Sequence, residues 1–185
     1  MNINEIFNKT FDFLIKRIAE LIGILLVLVS IFLIVSLLSY SPDDPNFIFS
    51  KDAEIKNIFG FQGSFISDIF YQAIGITSLF VTVTIFFTGL NLFRSKKFII
   101  IVENIFYAVI YTILISLFFS TYHSNCFTLT INGNGGFVGK FLQDSIISNL
   151  IELNKEIFYY ILILISFIIF LIIINFKISN FIDFL

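Results

Sequence analysis

Four places in this 185-residue chain carry residue types that could do chemistry. The most suggestive is Asn132 to Lys140, NGNGGFVGK, because a glycine run ending in Gly139-Lys140 has the outline of a loop whose backbone amides cradle phosphate. The outline is incomplete. The nucleotide pattern needs a glycine five residues before Gly139, where Asn134 stands, and Ser or Thr after Lys140, where Phe141 stands. Gly135, Gly136 and Gly139 therefore read as structural glycines that permit positive φ and close approach to a neighbouring helix or the headgroup layer. Asp43 and Asp44 stand between Pro42 and Pro45, the only prolines, and could hold a cation or a basic partner. Two adjacent acids between prolines read better as a turn facing water. His123 and Cys126, the only histidine and cysteine, could pair as base and nucleophile, but no orienting group or oxyanion donor accompanies them. They also leave no material for an internal disulfide or a Cys/His metal cluster. Glu103, inside an apolar stretch, could be a proton relay or an acid favoured by a helix N-terminus. No catalytic residue, cofactor or metal is expected.

The elements that must position these residues are membrane spans. The chain is 58% hydrophobic and 13% charged, with mean hydropathy +1.00; soluble domains carry about 25% charged residues. The expected fold class is all-α: a polytopic, four-transmembrane-helix bundle with an N-terminal amphipathic helix and two structured extracytoplasmic loops. Over residues 1–20, Ile3, Phe7, Phe11, Leu14, Ile15 and Ile18 fall on one helical face, opposite Glu5, Lys9, Asp12 and Lys16, which suits a helix lying on the membrane. Residues 21–40 give the first span, of the length a hydrocarbon core of ~30 Å demands. Pro42 ends it, since proline lacks the amide a helix interior needs and restricts the residue before it.

The first loop runs to Asp68, with Ile55, Ile58 and Phe59 in a short interfacial helix before a turn at Gly60-Phe61-Gln62-Gly63. The second span, 69–93, is the least apolar. Gly75, Ser78, Thr82 and Gly89 cluster on one side, and Thr77, Thr84, Thr88 and Asn91 on another, predicting neighbours on two sides; the hydroxyls could instead bond only to their own helix. The third span is expected over 105–122 and the fourth over 157–176, the latter almost wholly Ile, Leu and Phe and suited to facing lipid. Between them, Phe127, Leu129 and Ile131 alternate as in a small strand ending at Asn132-Gly133. Phe137, Val138, Phe141, Leu142, Ile146 and Leu150 then recur at helical spacing, predicting an amphipathic helix against the membrane. Residues 177–185 form a short tail.

Lys and Arg divide seven to four in favour of the termini and the Arg94–Lys97 loop, so both termini are expected in the cytoplasm and the two large loops outside. Net charge is -2 without a basic cluster, so direct nucleic-acid contact is not expected.

Taken in order, LLSYSPDDPNF at the end of the first span, GFQGSFISDIFYQAIG from Gly60 to Gly75, and GGFVG from Gly135 to Gly139 resemble the N-terminal four-span domain of bacterial DNA translocases of the FtsK/SpoIIIE type. Ser41, Asp44 and Pro45 match a Ser-x-x-Asp-Pro turn of that family. Gly60, Gly63, Asp68 and Gly75 resemble its Gly-Ala-Asp-Gly run, with Ser64 and Ser67 where alanines are common. Gly135, Gly136 and Gly139 match a Gly-Gly-x-x-Gly signature. The family's linker, ATP-driven motor and DNA-reading module are not in this sequence, so no enzymatic activity is expected of it. The resemblance implies an anchor in the bacterial inner membrane that targets a translocase to the division septum and links chromosome segregation to cell division. Its implied partners are membrane lipid, cell-division proteins and other copies of itself. Ser41 to Pro45, Gly60, Gly63, Asp68, Gly75, Gly89, Gly135, Gly136 and Gly139 are its candidate structural or interaction residues. The alternatives are a small channel or transporter subunit, or a stand-alone division scaffold.

Overall fold

The computed structural model describes residues 3–45, 54–124, 132–145, 151 and 153–174. Among them every regular element is an α-helix: α1 (Ile3–Leu38), α2 (Gly60–Ile74), α3 (Thr77–Ser95), α4 (Ile99–Tyr122), α5 (Gly136–Gln143) and α6 (Lys155–Ile174). α1, α3, α4 and α6 are each long and apolar enough to cross a membrane. The fold is a four-span helical bundle, with α2 and α5 short and gathered at one end, called here the loop end.

α3 is the hub. It packs on α1, α4 and α6, while α4 also packs on α6 and α5, and α2 bridges α1 and α5. The two polar seams of α3 explain the arrangement. On one side Gly89 meets Gly23 of α1 so closely that a Cβ on Gly89 would lie 2.7 Å from the Gly23 carbonyl oxygen. Small residues at a crossing in lipid gain dispersion contact between backbones, where no hydrophobic effect drives association. On the other side the Thr84 hydroxyl lies 2.7 Å from the Tyr111 hydroxyl, Asn104 Nδ2 donates to Thr88 Oγ1 at 2.8 Å, and Asn91 Nδ2 donates weakly to the Ile173 carbonyl at 3.5 Å. Thr82, Thr84 and Thr88 bond back to their own helix as well, so both readings of these hydroxyls hold together. Tyr111, Ile115 and Ile173 form the core beside this seam. α6 buries only Leu162, Ser166 and Ile173 and turns most of its other side chains outward.

Three boundaries differ from expectation. The amphipathic segment and the first span are one unbroken 36-residue helix. Nothing before Gly23 interrupts it, neither proline nor glycine, so a helix lying flat before turning inward is not observed. The second span is split. The expected turn at Gly60–Gly63 is instead the first turn of α2, residues 57–59 form a turn rather than an interfacial helix, and the chain breaks at Gly75 before α3 begins. α4 starts six residues early, at Ile99, which places Glu103 one turn inside it and exposed rather than at its N-terminus. α5 forms as expected from Gly136. The strand over Phe127, Leu129 and Ile131, Cys126, the continuation to Ile146 and Leu150, and the tail 177–185 lie outside the described residues.

Candidate interaction site at the loop end

α1 ends at Leu38 against two prolines, and the following chain folds back on it through side-chain acceptors. Ser41 Oγ accepts the Asp43 amide at 3.4 Å and the Ser41 carbonyl accepts the Asp44 amide at 3.2 Å, closing the turn that Pro42 begins. Asp44 departs from the sequence expectation: it does not face water and is only 2% exposed. Its two carboxylate oxygens accept the backbone amides of Lys56 and Asn57, each at 2.9 Å. A buried carboxylate is tolerated where charge-assisted bonds replace its water. Asp43 does face water, in an exposed pair with Lys56 at 3.3 Å.

Asn57, tied to Asp44 in this way, donates through Nδ2 to the Ser36 carbonyl at 2.8 Å, satisfying one of the carbonyls that the end of α1 leaves open. Asn57 Oδ1 lies where a Cβ on Gly63 would fall, only 2.0 Å away, so Gly63 is required by space. Ser64 Oγ donates to the Pro45 carbonyl at 3.0 Å, and Ser39 Oγ accepts the Ile58 amide at 3.2 Å. Tyr40 donates to buried Asp68 at 3.2 Å and Tyr71 donates to the Leu37 carbonyl at 3.1 Å. Burial raises both phenols above their ordinary pKa, and at Tyr40 the Asp68 charge adds to it. Gly60 opens α2 with free space around it.

The second half of the site is where the two loops interlock. Gly75 has φ +61° and Gly136 φ +64°, and their backbones touch: a Cβ on Gly136 would lie 2.4 Å from the Gly75 nitrogen. Only glycine combines that left-handed backbone with the missing side chain. The Ile76 amide donates to the Asn134 carbonyl at 3.0 Å, and Asn132 Nδ2 donates to the Gln72 carbonyl at 3.1 Å. Gly135 and Gly139 lie against Ser116 and Ser120 of α4, with the Ser116 carbonyl oxygen 2.3 and 2.2 Å from where their Cβ atoms would be. Ser116 Oγ donates to the Ile74 carbonyl at 3.2 Å, and Ser120 Oγ donates to Gln143 Oε1 at 2.6 Å. The glycines are thus consumed in packing and point no free amide array at a ligand.

Three separated stretches, 41–45, 60–75 and 135–139, therefore meet in one packed cap over the bundle. The family described as the 4TM region of DNA translocase FtsK/SpoIIIE matches residues 15–185. The chain belongs to that family. That family is the membrane region rather than the motor of such translocases, and the four apolar helices agree with a multi-pass membrane chain. The DNA translocase FtsK of Rickettsia prowazekii is 28% identical over 163 residues, covering 86% of this chain and 21% of the relative. That of Rickettsia bellii is 30% identical over 74 residues, 40% of this chain and 10% of the relative. The chain thus spans about a fifth or less of the length of these curated relatives. No solved structure matches it.

Of the expected residues, Gly89 alone stands apart from this FtsK/SpoIIIE-type cap, in the bundle at the α1 crossing. Asn57, Asn134, Ser116 and Ser120 belong to the cap and were missed. The spacing of Ser116 and Ser120, one helical turn apart in a span, was a usable signal for a close-packed face. Asn57 carried only a local signal, its Oδ1 accepting the Phe59 amide at 3.1 Å as in an Asx turn, while its bonds to Asp44 and Ser36 reach distant segments. Among the described residues no group of His, Cys, Asp and Glu could hold a metal ion.

Proposed function

We propose that this chain is the membrane anchor of a DNA translocase, that it targets the translocase to the division septum of the bacterial inner membrane, and that it thereby links chromosome segregation to cell division. Both termini lie in the cytoplasm and the cap faces outward. The observation that carries this reading is the cap itself. Adjacent helices can be joined by a few residues, whereas here two loops are locked together by buried acid, amide and glycine contacts, which is the construction of a presented surface. Cell-division proteins and other copies of the chain are its partners, and DNA is left to other parts of the translocase. Membership of the FtsK/SpoIIIE family supports the anchor role. The channel alternative loses ground because Thr84, Thr88 and Asn104 are bonded within the bundle rather than along a wet path.

A fluorescent fusion of residues 1–185 tests this. It is expected to gather at mid-cell, and Gly136→Val or replacement of Ser41–Pro45 is expected to disperse it while leaving membrane insertion intact. Uniform membrane fluorescence from an inserted wild-type fusion would overturn the septal reading, and ion flux in liposomes holding the purified chain would favour a channel.

A further inference from the structure

α1 and α4 both flank α3, and between them, on the side away from α6, runs a groove of about 580 Å³. Leu26 and Val29 form one wall, Val81 and Ile85 the floor, and Ile105 and Val109 the other wall. Val29, Ile105 and Val109 are exposed, so the groove opens sideways toward lipid. Thr84, Thr88 and Asn104 also reach it, but Thr84 is bonded to Tyr111 and Asn104 to Thr88. The occupant is therefore apolar.

Size and charge narrow it further. Along α4 the groove runs from Ile101 to Ile113, ~18 Å at the helical rise, close to one leaflet's share of a ~30 Å core. An extended acyl chain of that length has no polar atom to satisfy, which matches walls and a floor made by Leu26, Val29, Val81, Ile85, Ile105 and Val109. At the Ile101 end lies the Arg94–Lys97 loop. Lys96 and Arg17 both hold Glu20, at 2.6 and 2.5 Å, but Arg94 and Lys97 have no carboxylate partner among the described residues, and exposed Glu103 is a single acid against these two cations. At the loop end Ile74 and Val138 line the groove.

We propose that this groove holds one acyl chain of a phospholipid from the leaflet beside the Arg94–Lys97 loop, with an anionic headgroup at Arg94 and Lys97. The full chain, purified in mild detergent, is mixed with phosphatidylglycerol or with phosphatidylcholine of the same acyl chains, and bound lipid is counted by native mass spectrometry. One phosphatidylglycerol per chain is expected, preferred over phosphatidylcholine by about tenfold or more. Arg94→Gln with Lys97→Gln should erase the preference, at about fivefold for each charge removed. Val109→Trp fills the groove from its exposed rim and should lower retention of both lipids by about tenfold; Val29→Trp on the facing wall gives the same reading should the first variant not fold. Equal retention of the two lipids by the wild type would overturn the proposal, as would unchanged retention in a folded Trp variant. A lipid-free dimer that Val109→Trp splits into monomers would assign the groove to a second copy and would equally overturn it.

Discussion

Each Asp44 carboxylate oxygen accepts one backbone amide, that of Lys56 and that of Asn57. Asp44→Ala is expected to destabilise the cap by about 1–3 kcal/mol for each amide left unpaired, lowering the melting temperature of the purified chain. Asp43→Ala should change it hardly at all, because the Lys56 pair is exposed on both sides. Equal effects would mean that Asp44 is not buried in solution. Tyr40 and Tyr71 add a pH dependence. Their folded pKa values lie above the ordinary value of about 10, so the unfolded chain loses these protons first. Their contribution is complete below pH ~10 and is lost as pH rises beyond it. A melting series from pH 8 to 11 should fall at the alkaline end, and less steeply in Tyr40→Phe. The sequence made the Ser41–Pro45 turn legible, since proline and Ser/Asp chemistry act within a few residues. It hid the burial of Asp44, whose amide partners lie 12 and 13 residues on, beyond any local rule.

The α1–α3 crossing rests on Gly23 and Gly89, each of whose missing Cβ would fall within 3 Å of the other helix's backbone. Replacing Gly89 by Leu is expected to abolish or severely weaken folding, measured as loss of the monodisperse purified chain, whereas Ile163→Leu on the outer face of α6 should be tolerated. Comparable yields of both variants would sink the crossing as drawn. Here the sequence was informative: small residues at helical spacing predicted close neighbours on two sides of the second span, and both sides are filled. It was misleading about where that span begins. Residues 69–74 are apolar enough to continue α3 backwards, and only the contact between Gly75 and Gly136, sixty-one positions apart, shows why the helix must break.

Across the whole molecule the two ends differ in kind, one capped by interlocked loops and the other carrying the Arg94–Lys97 loop and the Glu20 ion pairs. With the cap outward, Cys126, the only cysteine, should react with a membrane-impermeant maleimide in intact spheroplasts, and Cys126→Ser should not; labelling only after lysis would invert the topology. The four spans were legible because length and hydropathy are properties of contiguous sequence, whereas the unbroken course of α1 was not, since an amphipathic stripe and an apolar run look like two objects on paper. That continuity has a mechanical consequence. α1 is a rod of 36 residues, ~54 Å long, pinned near its middle by Gly89 and Lys96 and hooked at its far end by Asn57. From Glu20 onward the rod is laid along α3, at Glu20 with Lys96 and at Gly23 and Leu26 with Gly89, while Phe7, Phe11, Phe13, Leu14 and Ile18 before it stay exposed. An unbroken helix cannot fold that half back without giving up backbone hydrogen bonds, so anything that covers it must meet it as a straight continuation of the span.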